Sequence, residues 1–124
     1  MTPSKGRILC TDDNRDTRDL VFAMLQAGGY DVVCVESCTE ALDLLKREQF
    51  DLIVVDNWMP EMTGTELTRL IREFNKTTPI LFYSAAAYEA DKRAAVEAGA
   101  QAYLTKPEGI DNLLDEVERL VKNP

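Results

Sequence analysis

The chain has 124 residues, of which 45% are hydrophobic, and this size and composition predict one globular domain with a real core. Its formal net charge of -8 argues against binding of nucleic acid or of an anionic membrane surface, because such binding needs clustered Lys and Arg. The three cysteines lack metal-ligand spacing and predict free thiols in a reducing compartment. Because the sequence has neither a signal-peptide core nor an apolar run of membrane-spanning length, we expect a cytoplasmic protein.

Strand and helix patterns alternate along the whole chain. Short apolar runs predict five strands, over residues 7–11, 31–36, 51–56, 79–84 and 102–105. Ser37 with Glu40, and Thr63 with Glu66, have the spacing of capping boxes at the start of a helix. Five helices are predicted: from Asn14 to Gly28, from Ser37 to about Arg47, after Thr63, from about Tyr88 to Ala98, and from Ile110 almost to the terminus.

Apolar side chains at helical spacing predict which face of each helix packs on the sheet. For the first, third and last helices these side chains are Leu20, Val21, Met24 and Leu25; Leu67, Leu70, Ile71 and Phe74; and Ile110, Leu113, Leu114, Val117, Leu120 and Val121. Five strand–helix units without a break in composition predict a single α/β domain over residues 1–124, built on a parallel sheet.

Polar residues stand where four of the predicted strands end. Asp12 and Asp13 follow the first strand, Asp56 the third, Ser84 the fourth and Lys106 the fifth. Because the carboxyl ends of parallel strands point the same way, we expect these side chains to meet in one crevice. Three carboxylates, a hydroxyl and an ammonium group are suited to holding a divalent cation and accepting a phosphoryl group.

These residues, in this order, resemble the pattern of the response-regulator receiver domain, the CheY-like module of two-component signalling, over essentially the whole chain. The matching positions are Asp12-Asp13, Asp56, Met59-Pro60, Gly64, Ser84, Tyr103 and Lys106-Pro107. The resemblance implies a flavodoxin-like, CheY-like fold: a three-layer (βα)5 doubly wound parallel sheet with strand order 2-1-3-4-5. It also implies a phosphorylation-switched signalling module, not an enzyme, which catalyses only its own phosphoryl transfer.

Asp56 is the candidate phosphoacceptor, because a carboxylate can act as a covalent nucleophile and this one ends the central buried strand. The resemblance implies the same role. Asp12 and Asp13 would crowd Asp56 with like charge, which raises at least one pKa unless a cation intervenes, and hard oxygen ligands suit Mg²⁺. The resemblance implies that Asp13, Asp56 and the backbone carbonyl of Trp58 bind the metal directly, while Asp12 acts through water.

The remaining site residues are expected to stabilise the phosphoryl group and to respond to it. Lys106 would supply positive charge to the transferring oxygens. The resemblance implies a cis Lys106-Pro107 peptide bond that aims the ammonium inward. It also implies that Ser84 hydrogen-bonds the phosphoryl group on Asp56 and that Tyr103 then turns from exposed to buried, as a two-state switch.

Two positions depart from the family pattern. The bulky Trp58 stands two residues after Asp56, and Ala86, two residues after Ser84, has no polar group to orient a water molecule. We therefore expect slow self-dephosphorylation.

The phosphoryl donor must be another protein, because this chain contains no histidine. The resemblance implies a sensor histidine kinase or a phosphotransfer protein as donor. An output partner would bind the face of the fourth helix, fifth strand and fifth helix. We expect a monomer that either remains one or dimerises on phosphorylation, and a stand-alone regulator is favoured over a receiver excised from a longer one.

Two other classes of function remain open. A degenerate receiver would act as a constitutive protein–protein interaction module, which the intact acidic, hydroxyl and lysine positions disfavour. A flavodoxin-type carrier needs a hydroxyl- and glycine-rich loop after the first strand, where this chain has an acidic one. A phosphatase with an aspartate nucleophile needs a second acid two residues later, where this chain has Trp58.

Overall fold

The computed structural model describes residues 3–122, and over this range strands and helices alternate as predicted. The strands are β1 (Arg7–Thr11), β2 (Asp31–Val35), β3 (Leu52–Val55), β4 (Ile80–Ser84) and β5 (Ala102–Thr105). The helices are α1 (Arg15–Ala27), α2 (Cys38–Arg47), α3 (Gly64–Phe74), α4 (Glu89–Ala98) and α5 (Ile110–Lys122). Predicted and observed strand bounds differ by at most one residue at either end.

The five strands form one parallel sheet in the order β2-β1-β3-β4-β5, so the predicted fold class and strand order are confirmed. The register aligns the carboxyl ends of neighbouring strands, since Thr11 pairs with both Val35 and Val55, and Ser84 pairs with Thr105. The sheet therefore presents the residues after β1, β3, β4 and β5 along one edge.

Two apolar clusters cover the two faces of the sheet. One contains Val21 and Leu25 of α1 together with Leu113 and Val117 of α5. The other contains residues of α2, α3 and α4, among them Leu67 of α3. This arrangement is three layers, helix–sheet–helix, and all residues of β3 are buried because both faces of the central strand are covered.

Side chains at the helix N-termini explain where three helices begin. The side chains of Asn14, Ser37 and Thr63 each accept a hydrogen bond from a backbone N–H in the first turn, as the sequence predicted. The Glu40 carboxylate accepts from the Ser37 hydroxyl, so only one half of the predicted capping box is formed there.

Three residues assigned to the buried helix faces are exposed, so those assignments were wrong. Leu20 of α1 and Leu70 and Phe74 of α3 lie at the margin of the apolar stripe and face solvent. In α3 the fully buried Thr68 lies on the sheet side, and its hydroxyl donates to the Gly64 carbonyl oxygen. Within residues 3–122, no helix is long and apolar enough to cross a membrane.

Candidate functional site

The five predicted site residues all lie at the carboxyl edge of the sheet. Asp12 and Asp13 follow β1, Asp56 follows β3, Ser84 ends β4 and Lys106 follows β5. Backbone hydrogen bonds extend the ladder past the strand ends: Asp56 N donates to Thr11 O at 3.2 Å, and Lys106 N donates to Ser84 O at 2.9 Å. The site residues are therefore fixed at the backbone level, by the same pairing that builds the sheet.

Three carboxylates meet at this edge. Asp12, Asp13 and Asp56 each place one carboxylate oxygen so that all three oxygens lie within 4.8 Å of one another. Asp12 and Asp56 are only 2% and 6% exposed, whereas Asp13 is open to solvent. The structure thus brings together the acidic residues that the sequence predicted as a group.

Lys106 is the cation that balances part of this charge. Its Nζ donates to Asp12 Oδ2 at 2.9 Å and lies 3.6 Å from Asp56 Oδ2. The other Asp12 oxygen, Oδ1, accepts from the backbone N–H of Asn14 at 2.9 Å. That Asp12 is the nearer partner of Lys106 could not be predicted, because no sequence pattern distinguishes which of two neighbouring strands supplies the shorter ion pair.

The pKa of Asp56 is raised above its ordinary value. The main cause is burial, which removes water from the charged form, and the negative charge of Asp12 acts in the same direction. The ammonium of Lys106 opposes both effects. One ammonium group facing three carboxylates leaves an excess of negative charge.

The residues present fit a divalent cation. Asp56 Oδ1 is buried and has no hydrogen-bond partner among residues 3–122, although a buried carboxylate oxygen normally has one. The carboxylate of Asp56 belongs to the cluster of three, and hard oxygen ligands of this kind suit Mg²⁺. The three carboxylates together therefore have the chemistry of a divalent-cation site.

The backbone of Asp56 packs directly against the first residue of α3. A Cβ atom on Gly64 would overlap the carbonyl oxygen of Asp56 and would press on the side chain of Val55. The Gly64 N–H also donates to the carbonyl oxygen of Asn57 at 2.9 Å. Glycine is required here because α3 begins in contact with the segment that carries Asp56.

The predicted switch residues lie on β4 and β5. The Ser84 hydroxyl oxygen accepts from the backbone N–H groups of Asn57 and Ala86, at 3.3 and 3.2 Å, so it joins the segments after β3 and β4. Tyr103 stacks on Phe82, with ring centroids 5.3 Å apart, and its hydroxyl donates to the Ala86 carbonyl oxygen at 2.5 Å. In this structure Tyr103 is half-buried and points inward, instead of occupying the exposed starting position that the sequence analysis expected.

Three further predicted features have defined positions. The Lys106-Pro107 peptide bond is cis. The Trp58 side chain is 58% exposed beside the site, and its backbone pairs with Thr63 as an isolated antiparallel bridge. Ala86, two residues after Ser84, is buried.

This chain is similar to known proteins in both sequence and fold. The family model described as "Response regulator receiver domain" matches residues 8–118. An uncharacterized 14.6 kDa protein from Leptolyngbya boryana is 45% identical over 117 residues, which cover 93% of this chain and 86% of that protein. The response regulator MprA of Mycobacterium leprae is 34% identical over 94% of this chain, but this chain spans only 51% of its length.

A solved structure gives the same result. The chemotaxis response regulator CheY4 of Vibrio cholerae superimposes with a TM-score of 0.87 at 32% identity, covering 96% of this chain and 99% of that one. An acidic crevice at the carboxyl edge of a 2-1-3-4-5 sheet, a matching family model and similar response regulators agree. The chain belongs to the response regulator receiver domain family, the CheY-like modules of two-component signal transduction.

Proposed function

We propose that this chain is a phosphorylation-activated receiver that accepts a phosphoryl group on Asp56 in a Mg²⁺-dependent reaction. The observation that carries the proposal is the buried carboxylate of Asp56, which has one oxygen without a partner and the other 3.6 Å from the Lys106 ammonium. A carboxylate held in this way is a nucleophile with positive charge already beside it.

In the proposed transfer, a carboxylate oxygen of Asp56 forms a bond to phosphorus while the bond from phosphorus to the donor breaks. The donor bond is P–N in a phosphohistidine and P–O in a small acyl phosphate. Its electron pair leaves with the imidazole, which takes up a proton from solvent, or with the carboxylate. The product is an aspartyl phosphate, a mixed anhydride.

Asp13, Asp56 and the backbone carbonyl of Trp58 would hold the metal, with Asp12 contributing through water. Bound Mg²⁺ supplies positive charge that offsets the charge on the phosphoryl oxygens. Lys106 stabilises the same oxygens from the β5 side, because its ammonium already lies within reach of Asp56. Asp12 holds Lys106 in that position through their ion pair.

Ser84 and Tyr103 are the proposed response elements. A phosphoryl oxygen on Asp56 would accept a hydrogen bond from the Ser84 hydroxyl, whose oxygen accepts from the N–H groups of Asn57 and Ala86. The Tyr103 hydroxyl is bound to the Ala86 carbonyl, so a shift of this loop changes which position of Tyr103 is stable. Phosphorylation would therefore further stabilise the inward position of Tyr103, which the ring already occupies in this structure.

The remaining elements of the proposal concern partners and setting. The donor is a sensor histidine kinase or a phosphotransfer protein, and an output partner binds the face formed by α4, β5 and α5. The protein acts in the cytoplasm as a single receiver domain over residues 1–124, a monomer at least before phosphorylation. Trp58 and Ala86 make self-dephosphorylation slow, since neither residue orients an attacking water molecule.

The test is incubation of the protein with Mg²⁺ and a small acyl phosphate, followed by intact-mass analysis. We expect a single phosphate-sized adduct on the wild type and none on Asp56→Asn. Asp115→Asn, which changes an exposed aspartate on α5, is the matched control and should still be modified. If the wild type binds neither Mg²⁺ nor phosphate, the chain is a constitutive interaction module and the proposal is wrong.

A further inference from the structure

Glu61 lies in the loop between β3 and α3 and makes two short hydrogen bonds to a different helix. Its Oε1 accepts from the backbone N–H of Cys38 at 2.7 Å, and its Oε2 accepts from the Thr39 hydroxyl at 2.6 Å. Both donors belong to the first turn of α2, more than twenty positions earlier in the chain. The two oxygens of one carboxylate therefore join the β3–α3 loop to the start of α2.

The first turn of α2 receives this carboxylate as a second cap. Ser37 accepts from the Glu40 N–H, which leaves the Cys38 N–H as an unpaired donor that Glu61 satisfies. The hydrogen bonds from Thr39 and Cys38 hold the pKa of Glu61 below its ordinary value, so this carboxylate is ionised at neutral pH. A negative charge at a helix N-terminus is favourable.

The loop that carries Glu61 is closed at its base. Trp58 and Thr63 form an antiparallel bridge, and the Gly64 N–H donates to the Asn57 carbonyl oxygen at 2.9 Å. Met59 is buried in the apolar cluster below the loop. Glu61, two residues beyond Met59, provides the polar connection between this closed loop and α2. The loop is thus held at its base by its own backbone and at its tip by α2.

We propose that Glu61 is a positioning residue, which fixes the β3–α3 loop through α2 so that the Trp58 carbonyl is held ready to bind the metal. This inference rests on the proposed function, because it assigns Glu61 a role in preparing the Mg²⁺ site beside Asp56. Residues that orient metal ligands from outside the coordination shell typically change metal affinity by about 10- to 100-fold when removed.

The test compares Mg²⁺ affinity between the wild type and four variants, with Trp58 fluorescence as the signal. Trp58 is the only tryptophan in the chain and lies beside the site. For Glu61→Ala we expect an apparent dissociation constant for Mg²⁺ raised about tenfold. Glu61→Gln keeps an oxygen for the Cys38 N–H and an amide for the Thr39 hydroxyl, so it should restore the affinity to within about twofold.

Ser37→Ala is the matched control. It removes a hydrogen bond from the same helix terminus but leaves the contact between Glu61 and α2 in place, so stability should fall while Mg²⁺ affinity stays unchanged. Thr39→Ala removes only one of the two contacts of Glu61 and should raise the dissociation constant by about threefold. This exposed position keeps the test decisive if Glu61→Ala fails to fold.

Equal Mg²⁺ affinities for the wild type, Glu61→Ala and Thr39→Ala would overturn the positioning role while leaving the proposed function intact. A loss in Ser37→Ala as large as that in Glu61→Ala would also overturn it, since the effect would then come from α2 stability alone. A wild type without any Mg²⁺ response would contradict the proposed function itself, and the inference would fall with it.

Discussion

Replacing Asp56 by Asn should make the unphosphorylated, metal-free protein more stable at neutral pH. Asn has nearly the shape of Asp and keeps one oxygen acceptor, so the main change is the loss of a charge that is 6% exposed. The raised pKa of Asp56 shows that its ionised form is unfavourable in the folded state. Removing the charge removes that cost.

The distances indicate the size of the effect. With an effective dielectric constant of about 20, Lys106 at 3.6 Å attracts the Asp56 carboxylate by about 5 kcal/mol. Asp12, within 4.8 Å, repels it by at least about 3.5 kcal/mol, and the exposed Asp13 adds a repulsion weakened by solvent. Because this attraction and this repulsion nearly cancel, the cost of burying an ion, several kcal/mol, decides whether removing the charge stabilises the protein. We expect the free energy of unfolding to rise by about 2 kcal/mol, or the Tm by about 8 °C.

The pH dependence has a definite sign. A carboxyl group with a raised folded-state pKa binds its proton more tightly in the folded protein, so its cost is present above that pKa. The cost disappears as the pH falls through the raised pKa of Asp56 towards the ordinary aspartate value of about 4. The advantage of Asp56→Asn should therefore shrink steadily on acidification.

Chemical denaturation of both proteins with a metal chelator present, at several pH values, measures this directly. Asp115→Asn, on the exposed side of α5, should change the stability by less than about 0.5 kcal/mol. Mg²⁺ at ten times its dissociation constant should stabilise the wild type by about 1.4 kcal/mol and so narrow the difference. If Asp56→Asn is no more stable than the wild type at neutral pH without metal, the charge argument is wrong.

Three other substitutions give separate tests. Lys106→Met should slow modification by a small acyl phosphate at least about tenfold, and an unchanged rate would contradict the role of the ammonium. The same substitution should lower the free energy of unfolding by about 3 kcal/mol, because it leaves the buried Asp12 without its partner. Trp58→Asn should shorten the lifetime of the phosphorylated protein, measured by intact mass over time, because an amide can orient a water molecule; an equal or longer lifetime would show that Trp58 does not slow hydrolysis. Gly64→Ala should lower the free energy of unfolding by about 2 kcal/mol, because the added Cβ atom overlaps the Asp56 backbone. Helix propensity alone would raise it by about 1 kcal/mol, so chemical denaturation distinguishes the two effects by the direction of the change.

The order of elements could be predicted because local signals agree along the chain. Each strand is a short apolar run, and side chains such as Asn14 and Ser37 mark where helices begin. The width of the buried helix faces could not be predicted. Periodicity identifies the direction of the apolar stripe, but whether Leu20 or Phe74 reaches the sheet depends on how the helix crosses it.

The site residues could be located because a parallel sheet brings the ends of its strands together. Which side chains pair with each other could not be predicted. The preference of Lys106 for Asp12 depends on side-chain reach across the edge, and the contact between Glu61 and α2 joins residues far apart in the sequence without a motif. The inward position of Tyr103 likewise depends on a loop carbonyl, that of Ala86, which no residue type specifies.

The close approach of Gly64 to the Asp56 carbonyl has a consequence for how a donor must dock. Because α3 begins against the Asp56 carbonyl oxygen and the Asp56 N–H is hydrogen-bonded to Thr11 O, the backbone of Asp56 is held in place on both sides of its Cα atom. If Asp56 accepts the phosphoryl group as proposed, a donor protein would have to bring its phosphorylated side chain down to the buried carboxylate of Asp56. The fit between the donor protein and the surface around the crevice, more than any movement of Asp56, would then decide which donors transfer a phosphoryl group.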